Sequence, residues 1–289
     1  MTRAILLSLL TFCLWTSTAV QGGTFVRFRT VFGDTEVELL DQQRPVAVKN
    51  FLQYVRDGAY AGMFFHRMVP DFVIQGGGFV NTAPGTTNSR VGNVPMRAPI
   101  TNEFGIGPLI SNVAGTIAMA KSSDPNSATS QFFFNLADNS NSLDSTNNSG
   151  GFTVFGRVVG GTNTLVLFNS FVANRSPATN VIVNANSPAG GPFGELPVLR
   201  FPGATDDLFT LLVYVDISLM NVQVARQTDG ARKITWDSAV NATNVVEFTS
   251  VFPPVWTTLT NVVRPTATNS VVVDSSGDLR RFYRVRTAY

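Results

Sequence analysis

The chain has 289 residues, 44% hydrophobic and 14% charged, which is enough apolar mass for a real core and too little charge for a disordered polyelectrolyte. Its formal net charge is +2, spread along the chain, which argues against nucleic acid or an acidic membrane surface as a partner. The first residues carry the pattern of a secretory signal peptide. Arg3 supplies the positive start, and Ala4 to Trp15 is apolar but shorter than the roughly 20 residues a spanning helix needs. Ser17 and Ala19 are small, so the expected signal is residues 1–19, cut after Ala19. The mature chain is then expected to be exported, periplasmic or extracellular, with no stable membrane span. Cys13, the only cysteine, lies in the apolar run behind Phe12, a poor neighbour for a lipidation site. Its removal leaves a chain with no disulfide, and the single histidine cannot build a usual zinc site.

Residues 24–31 and 35–39 alternate apolar and polar side chains about Gly33-Asp34, which predicts a hairpin. A helix is expected next. Pro45 suits its first turn, Val48, Phe51, Leu52 and Val55 share a face, and Gly58 closes it. Short apolar segments follow, cut by Gly, Pro, Asn and Ser. Phe64 to Phe79 is one, and Thr82 to Pro99 is a polar loop. Gly115 to Met119, Gln131 to Leu136 and Phe152 to Val159 read as strands, and Thr164 to Phe171 as a second helix. Many short strands with few helices predict a barrel or sandwich. Residues 174–195 read as a linker or long surface excursion, rich in Asn, Ser, Pro, Ala and Gly. Leu211 to Leu219 reads as an apolar strand. Beyond it the texture becomes a polar β pattern, at Lys233 to Trp236, Asn244 to Phe248, Ser270 to Asp274 and Phe282 to Val285.

The informative residues are Phe65-His66-Arg67, Pro70, Phe72 and Gln75-Gly76-Gly77. Gly115 to Ala120 follow, then Ser127 to Phe134, and then Val154-Phe155-Gly156. In this order and spacing, from about Thr24 to Leu219, they resemble the cyclophilin family of peptidyl-prolyl cis-trans isomerases. The run from Ser123 to Phe133 is similar to that of bacterial exported members. The resemblance implies a mainly β fold: an eight-stranded antiparallel barrel with two helices and a substrate groove on its outer face.

The residue types suit that reaction. Amide resonance holds an X-Pro bond behind a barrier of about 18–20 kcal/mol, and no covalent bond has to break for it to rotate. The protein therefore needs no nucleophile, no acid-base pair and no cofactor. It needs to bind the twisted amide better than either planar form. A guanidinium can donate to the prolyl nitrogen as its lone pair localises, and stays charged at ordinary pH.

The resemblance places Arg67 at the catalytic position, with Gln75 orienting it and meeting the substrate backbone. It gives Phe72, Met119, Phe133 and Leu143 to the apolar pocket for the proline ring, and Ala120, Gln131 and Phe152 to the adjoining groove. On composition alone, Phe72, Phe133 and Met119 are equally good core residues. His66 has no proton to transfer in this reaction and reads as structural. Gly76, Gly77 and Gly78 lack a phosphate-loop lysine and read as close backbone packing. The sequence departs from the family at Val73, Lys121 and Ser142, the last standing for a groove tryptophan. Cyclosporin binding is therefore expected to be weak.

Residues 220–289 resemble a small fibronectin-III-like β-sandwich, with Trp236 and Trp256 expected in its core. The expected organisation is a signal peptide at 1–19, an isomerase domain at 20–219 and this module at 220–289. The implied partners are proline-containing peptides and unfolded exported proteins, with a monomer as the default state. The alternative is a non-catalytic proline-peptide binding module displayed on the cell envelope.

Overall fold

The computed structural model describes residues 24–173, 179–185, 191–220, 222–237, 243–251, 254–262, 269–278 and 280–288. The expected signal peptide at 1–19 lies outside the described residues. Strands β1 (Phe25–Thr30) and β2 (Gly33–Leu39) form the hairpin, with Thr30 opposite Gly33. Its turn is Val31-Phe32, two residues earlier than expected. Gly33 opens β2 at φ +124°, a backbone angle that suits glycine.

Helix α1 (Pro45–Arg56) begins at the proline and buries Val48, Phe51 and Leu52. No local side chain caps it. Its first N–H groups, of Val46 and Ala47, donate to the Glu103 carboxylate at 3.1 and 2.8 Å. The next elements are β3 (Arg67–Val69), β4 (Val73–Gly76), β5 (Phe79–Asn81), β6 (Val91–Asn93), β7 (Thr116–Met119) and β8 (Phe132–Asn135). After them come α2 (Ser140–Leu143), β9 (Val154–Gly160), α3 (Thr162–Phe168), β10 (Val172–Ala173), β11 (Thr179–Val183), β12 (Leu196–Arg200) and β13 (Asp216–Met220).

Eight strands make one antiparallel sheet in the order β13-β1-β2-β9-β7-β8-β4-β3. The sheet curls until its edges meet. Phe64 bridges Tyr214, Phe65 N–H donates to the Val213 carbonyl at 3.0 Å, and Val215 N–H donates to that of Met63 at 2.9 Å. The expected eight-stranded architecture is therefore present. The described residues contain α2, a single turn, besides the two expected helices.

Alternation along each strand fills the barrel. Met68, Ile74, Ile117, Met119, Phe132, Phe134 and Phe155 enter one buried cluster with Val26, Phe28, Val37 and Phe51. Phe28 stands edge-on to Phe134, with centroids 4.9 Å apart, and Phe51 edge-on to Phe132, at 5.6 Å. Helix α3 adds Leu165 and Phe168 to the same cluster.

The excursion expected at 174–195 is corrected by what is described there. Strand β11 lies inside it, between β10 and β12 in a three-stranded sheet, with Val181, Ile182 and Val183 buried. Val181, Val183, Leu196 and Val198 form a second apolar cluster with Phe64, Leu211 and Leu212. The expected strand at Leu211 to Leu219 is regular only from Asp216. Leu211 to Val215 are mostly buried in irregular pairing.

The barrel sheet ends at Met220 and the next strand begins at Val222. Strands β14 (Val222–Arg226), β15 (Arg232–Asp237), β16 (Thr243–Thr249), β17 (Thr257–Val262), β18 (Asn269–Asp274) and β19 (Phe282–Ala288) form two three-stranded sheets. Buried Ile234, Trp236 and Val246 form their common core. Trp256, also expected in that core, is half-buried, with the Arg284 guanidinium 4.3 Å from its ring centroid.

Candidate active site

Strand parity decides what faces outward. Phe132 and Phe134 point into the barrel, so Phe133 must point out, where it joins Val73, Ala118, Leu143 and Val154 in an apolar cluster. Arg67, Val73 and Gln75 take the same outer side of β3 and β4, since Met68 and Ile74 face inward. Arg67 lies opposite Gln75, and Gln75 opposite Phe133. An arginine, an amide and a phenyl ring are thus set side by side across three strands.

These residues line a groove of about 590 Å³ on the outer face of the barrel. Arg67, Phe72, Gln75, Ala120, Gln131, Phe133, Leu143 and Phe152 all line it. Met119 does not. It faces the barrel core with Ile117, pairs across strands with Phe132, and is 3% exposed. Alternation gives the outer face to Ala118, and the pocket wall expected from Met119 is formed by Val73. Phe72 reaches the groove through a tight turn. Asp71 adopts φ +56° after Pro70, and Phe72 N–H donates to the Val69 carbonyl at 3.1 Å.

The polar wall differs from expectation in one respect. The Gln75 amide donates to Gln131 Oε1 at 2.7 Å, while Arg67 is held by Glu195, whose Oε2 lies 2.7 Å from its Nε. Lys121 stacks over the Phe152 ring, its Nζ 4.2 Å from the centroid, and donates to the Ser149 carbonyl. Desolvation lowers the Lys121 pKa, partly offset by Asp124. Met96, Ser122, Ser127, Thr129 and Asn148 complete the lining; Ser127 and Thr129 belong to the run from Ser127 to Phe134 but carry no expected site role, and Met96, Ser122 and Asn148 lie outside the motifs. Ser142 is exposed in α2 and does not line the groove.

The glycines and His66 act as packing, as expected. Gly77 has φ +81°, and a Cβ there would collide with the Ser130 carbonyl oxygen. His66 is buried edge-on against Phe79, with centroids 5.0 Å apart. Burial first, and then the Arg67 charge, hold its pKa down at about 4, against a smaller upward pull from Gln131.

A polar network behind the pocket was not legible from the motifs. Asn112 Nδ2 donates to Asp144 Oδ1 at 2.8 Å and to the Phe152 carbonyl at 2.9 Å. Asn135 Nδ2 donates to Asn112 Oδ1 at 3.1 Å and Thr116 Oγ1 at 2.9 Å. Asn139 Nδ2 donates to Asn135 Oδ1 at 2.8 Å and to the Phe72 carbonyl at 2.7 Å. The network therefore ties the main chain of two groove residues, Phe72 and Phe152, to the start of α2. Its only sequence signal is asparagine beside apolar strands, which reads as a loop. The site as a whole offers a fixed guanidinium beside an apolar recess. That arrangement can bind a ring on one side and donate hydrogen bonds on the other, without proton transfer.

The family described as cyclophilin type peptidyl-prolyl cis-trans isomerase/CLD matches residues 25–186. A peptidyl-prolyl cis-trans isomerase of Acinetobacter baylyi is 44% identical over 138 residues, covering 48% of this chain and 68% of that protein. Peptidyl-prolyl cis-trans isomerase A of Dickeya dadantii is 43% identical over 143 residues, covering 50% of this chain and 70% of that protein. Peptidyl-prolyl cis-trans isomerase B of Escherichia coli is 37% identical over 172 residues, covering 55% and 96%.

Proposed function

The chain belongs to the cyclophilin-type peptidyl-prolyl cis-trans isomerase family, and from that premise we propose that its outer groove catalyses X-Pro rotation in exported proteins as they fold. The observation that carries the reading is that Arg67 and the apolar residues Phe72, Val73, Phe133 and Leu143 line one groove. The recess holds the proline ring. Arg67 donates to the prolyl nitrogen when the amide twists and the lone pair localises there. The Gln75-Gln131 pair meets the peptide backbone. Such contacts favour the twisted amide over both planar forms, which lowers the barrier without covalent chemistry.

Export rests on the pattern of residues 1–19. The client class follows from it: chains that cross a membrane unfolded and meet slow prolyl bonds afterwards, with uncatalysed times of tens to hundreds of seconds. The two small sheets from Val222 onward are read as a fibronectin-III-like attachment module. Its two sheets around Ile234, Trp236 and Val246 support that reading.

The test follows cis-to-trans conversion of a short X-Pro peptide with the protein and its Arg67→Ala variant. Fast conversion that is lost in the variant is expected. Equal rates near background for both would sink catalysis and leave a proline-peptide binder.

A further inference from the structure

Arg67 is about one-third exposed on a short edge strand, where a long side chain would sample many rotamers. A guanidinium that must meet one nitrogen in one geometry needs a second group to hold it. Gln75 does not supply that hold: its amide N–H donates to Gln131, and among the described residues no hydrogen bond joins its side chain to Arg67. Glu195 does. Its Oε2 lies 2.7 Å from Arg67 Nε. With the carboxylate at Nε, the terminal nitrogens of Arg67 remain available to the groove.

Glu195 is itself fixed by its surroundings. Its carbonyl accepts from Met68 N–H at 2.7 Å, one residue along β3 from Arg67. On one side Leu196 is 2% exposed in the second apolar cluster. On the other, Phe193 packs against Phe64 and Phe79, with centroids 6.1 and 4.9 Å apart. The main chain at Glu195 is thus clamped to the barrel edge by one hydrogen bond and two apolar anchors. The residue lies beyond 186, where the family match ends, and leads into β12 of the small sheet β10-β11-β12.

We propose that Glu195 is a positioning residue of the isomerase, and that the small sheet exists at this edge partly to deliver it. The proposal rests on Arg67 being the catalytic group. Glu195 restrains the guanidinium from the side away from the prolyl nitrogen and keeps its plane fixed. The carboxylate touches neither substrate nor reacting atoms.

The test is a double-mutant cycle in the full chain, with peptide isomerisation measured for the parent, Glu195→Gln, Arg67→Ala and the double variant. Glu195→Gln keeps the shape and removes the charge at a half-exposed position, so its thermal midpoint should match the parent. The expected result is kcat lowered about fivefold with KM nearly unchanged, and no further loss when the change is added to Arg67→Ala. A normal kcat in Glu195→Gln while Arg67→Ala is inactive overturns the positioning role alone. So does a kcat above the parent's, or an equal loss in the Arg67→Ala background. An Arg67→Ala variant with full activity overturns the role of Arg67, and this proposal with it.

Discussion

Gln75 and Gln131 share a side-chain hydrogen bond, Nε2 to Oε1 at 2.7 Å, that joins two strands of the groove wall. Neither amide is fully buried, so the bond orders the wall more than it stabilises the fold. Gln75→Ala and Gln131→Ala should each lower kcat/KM about fivefold, the equivalent of roughly 1 kcal/mol for one net hydrogen bond. The double variant should be no worse than the weaker single one, because either change already breaks the pair. Steady-state rates on one X-Pro peptide decide it. Losses that multiply would mean that the two glutamines act independently.

Most of the barrel was legible because its strands obey the period of two. The hairpin, α1, and the strands near Ile117, Phe133 and Phe155 all follow from local pattern. The same period would have removed Met119 from the pocket. With Phe132 and Phe134 inside, its cross-strand partner Phe132 draws Met119 inside as well. A motif shows which residues accompany one another but not which face each takes. Strand β11 was hidden by the Asn- and Ser-rich residues around it, since its burial comes from β12, a partner distant in sequence. Glu195 was illegible for the same reason: only the docking of that sheet brings its carboxylate to Arg67.

His66 gives the fold a defined pH dependence. Its pKa is about 4 in the folded protein against an ordinary 6.5, chiefly because burial disfavours the charged ring. The unfolded chain binds a proton that the folded chain refuses between those values. Stability is therefore fully present above about 6.5 and is lost as pH falls toward 4, by up to about 3 kcal/mol. The chain has one histidine, so the assignment is clean. Urea unfolding at pH 7, 6 and 5 should show the slope in the parent and its loss in His66→Gln. A slope that persists in the variant would place the titration elsewhere.

Two glycines with similar backbone angles should respond differently to alanine. Gly77 at φ +81° would thrust a Cβ into the Ser130 carbonyl, while Gly85 at φ +75° faces open space. Gly85→Ala should carry only the left-handed penalty of about 1–2 kcal/mol and leave activity intact. Gly77→Ala should add a steric cost and shift Ser130-Gln131, lowering both the melting midpoint and kcat/KM. Comparable effects at the two sites would show that the 130–131 segment yields freely.

Asn112 is the hinge of the network behind the pocket, fully buried and bonded to Asp144, Asn135 and the Phe152 carbonyl. Asn112→Ala removes all three side-chain contacts and leaves the Phe152 carbonyl and Asp144 without that donor. The expected cost is about 2–4 kcal/mol of stability, since buried groups lose partners and a small void opens. Asn135 retains Thr116 Oγ1, so the barrel strands should persist and the damage should concentrate at Phe152 and α2. Because Phe152 and Leu143 line the groove, KM should rise more than kcat falls. Denaturant titration and saturation kinetics on the same preparation separate the two effects. A large stability loss with unchanged KM would show that the network supports the barrel without shaping the groove.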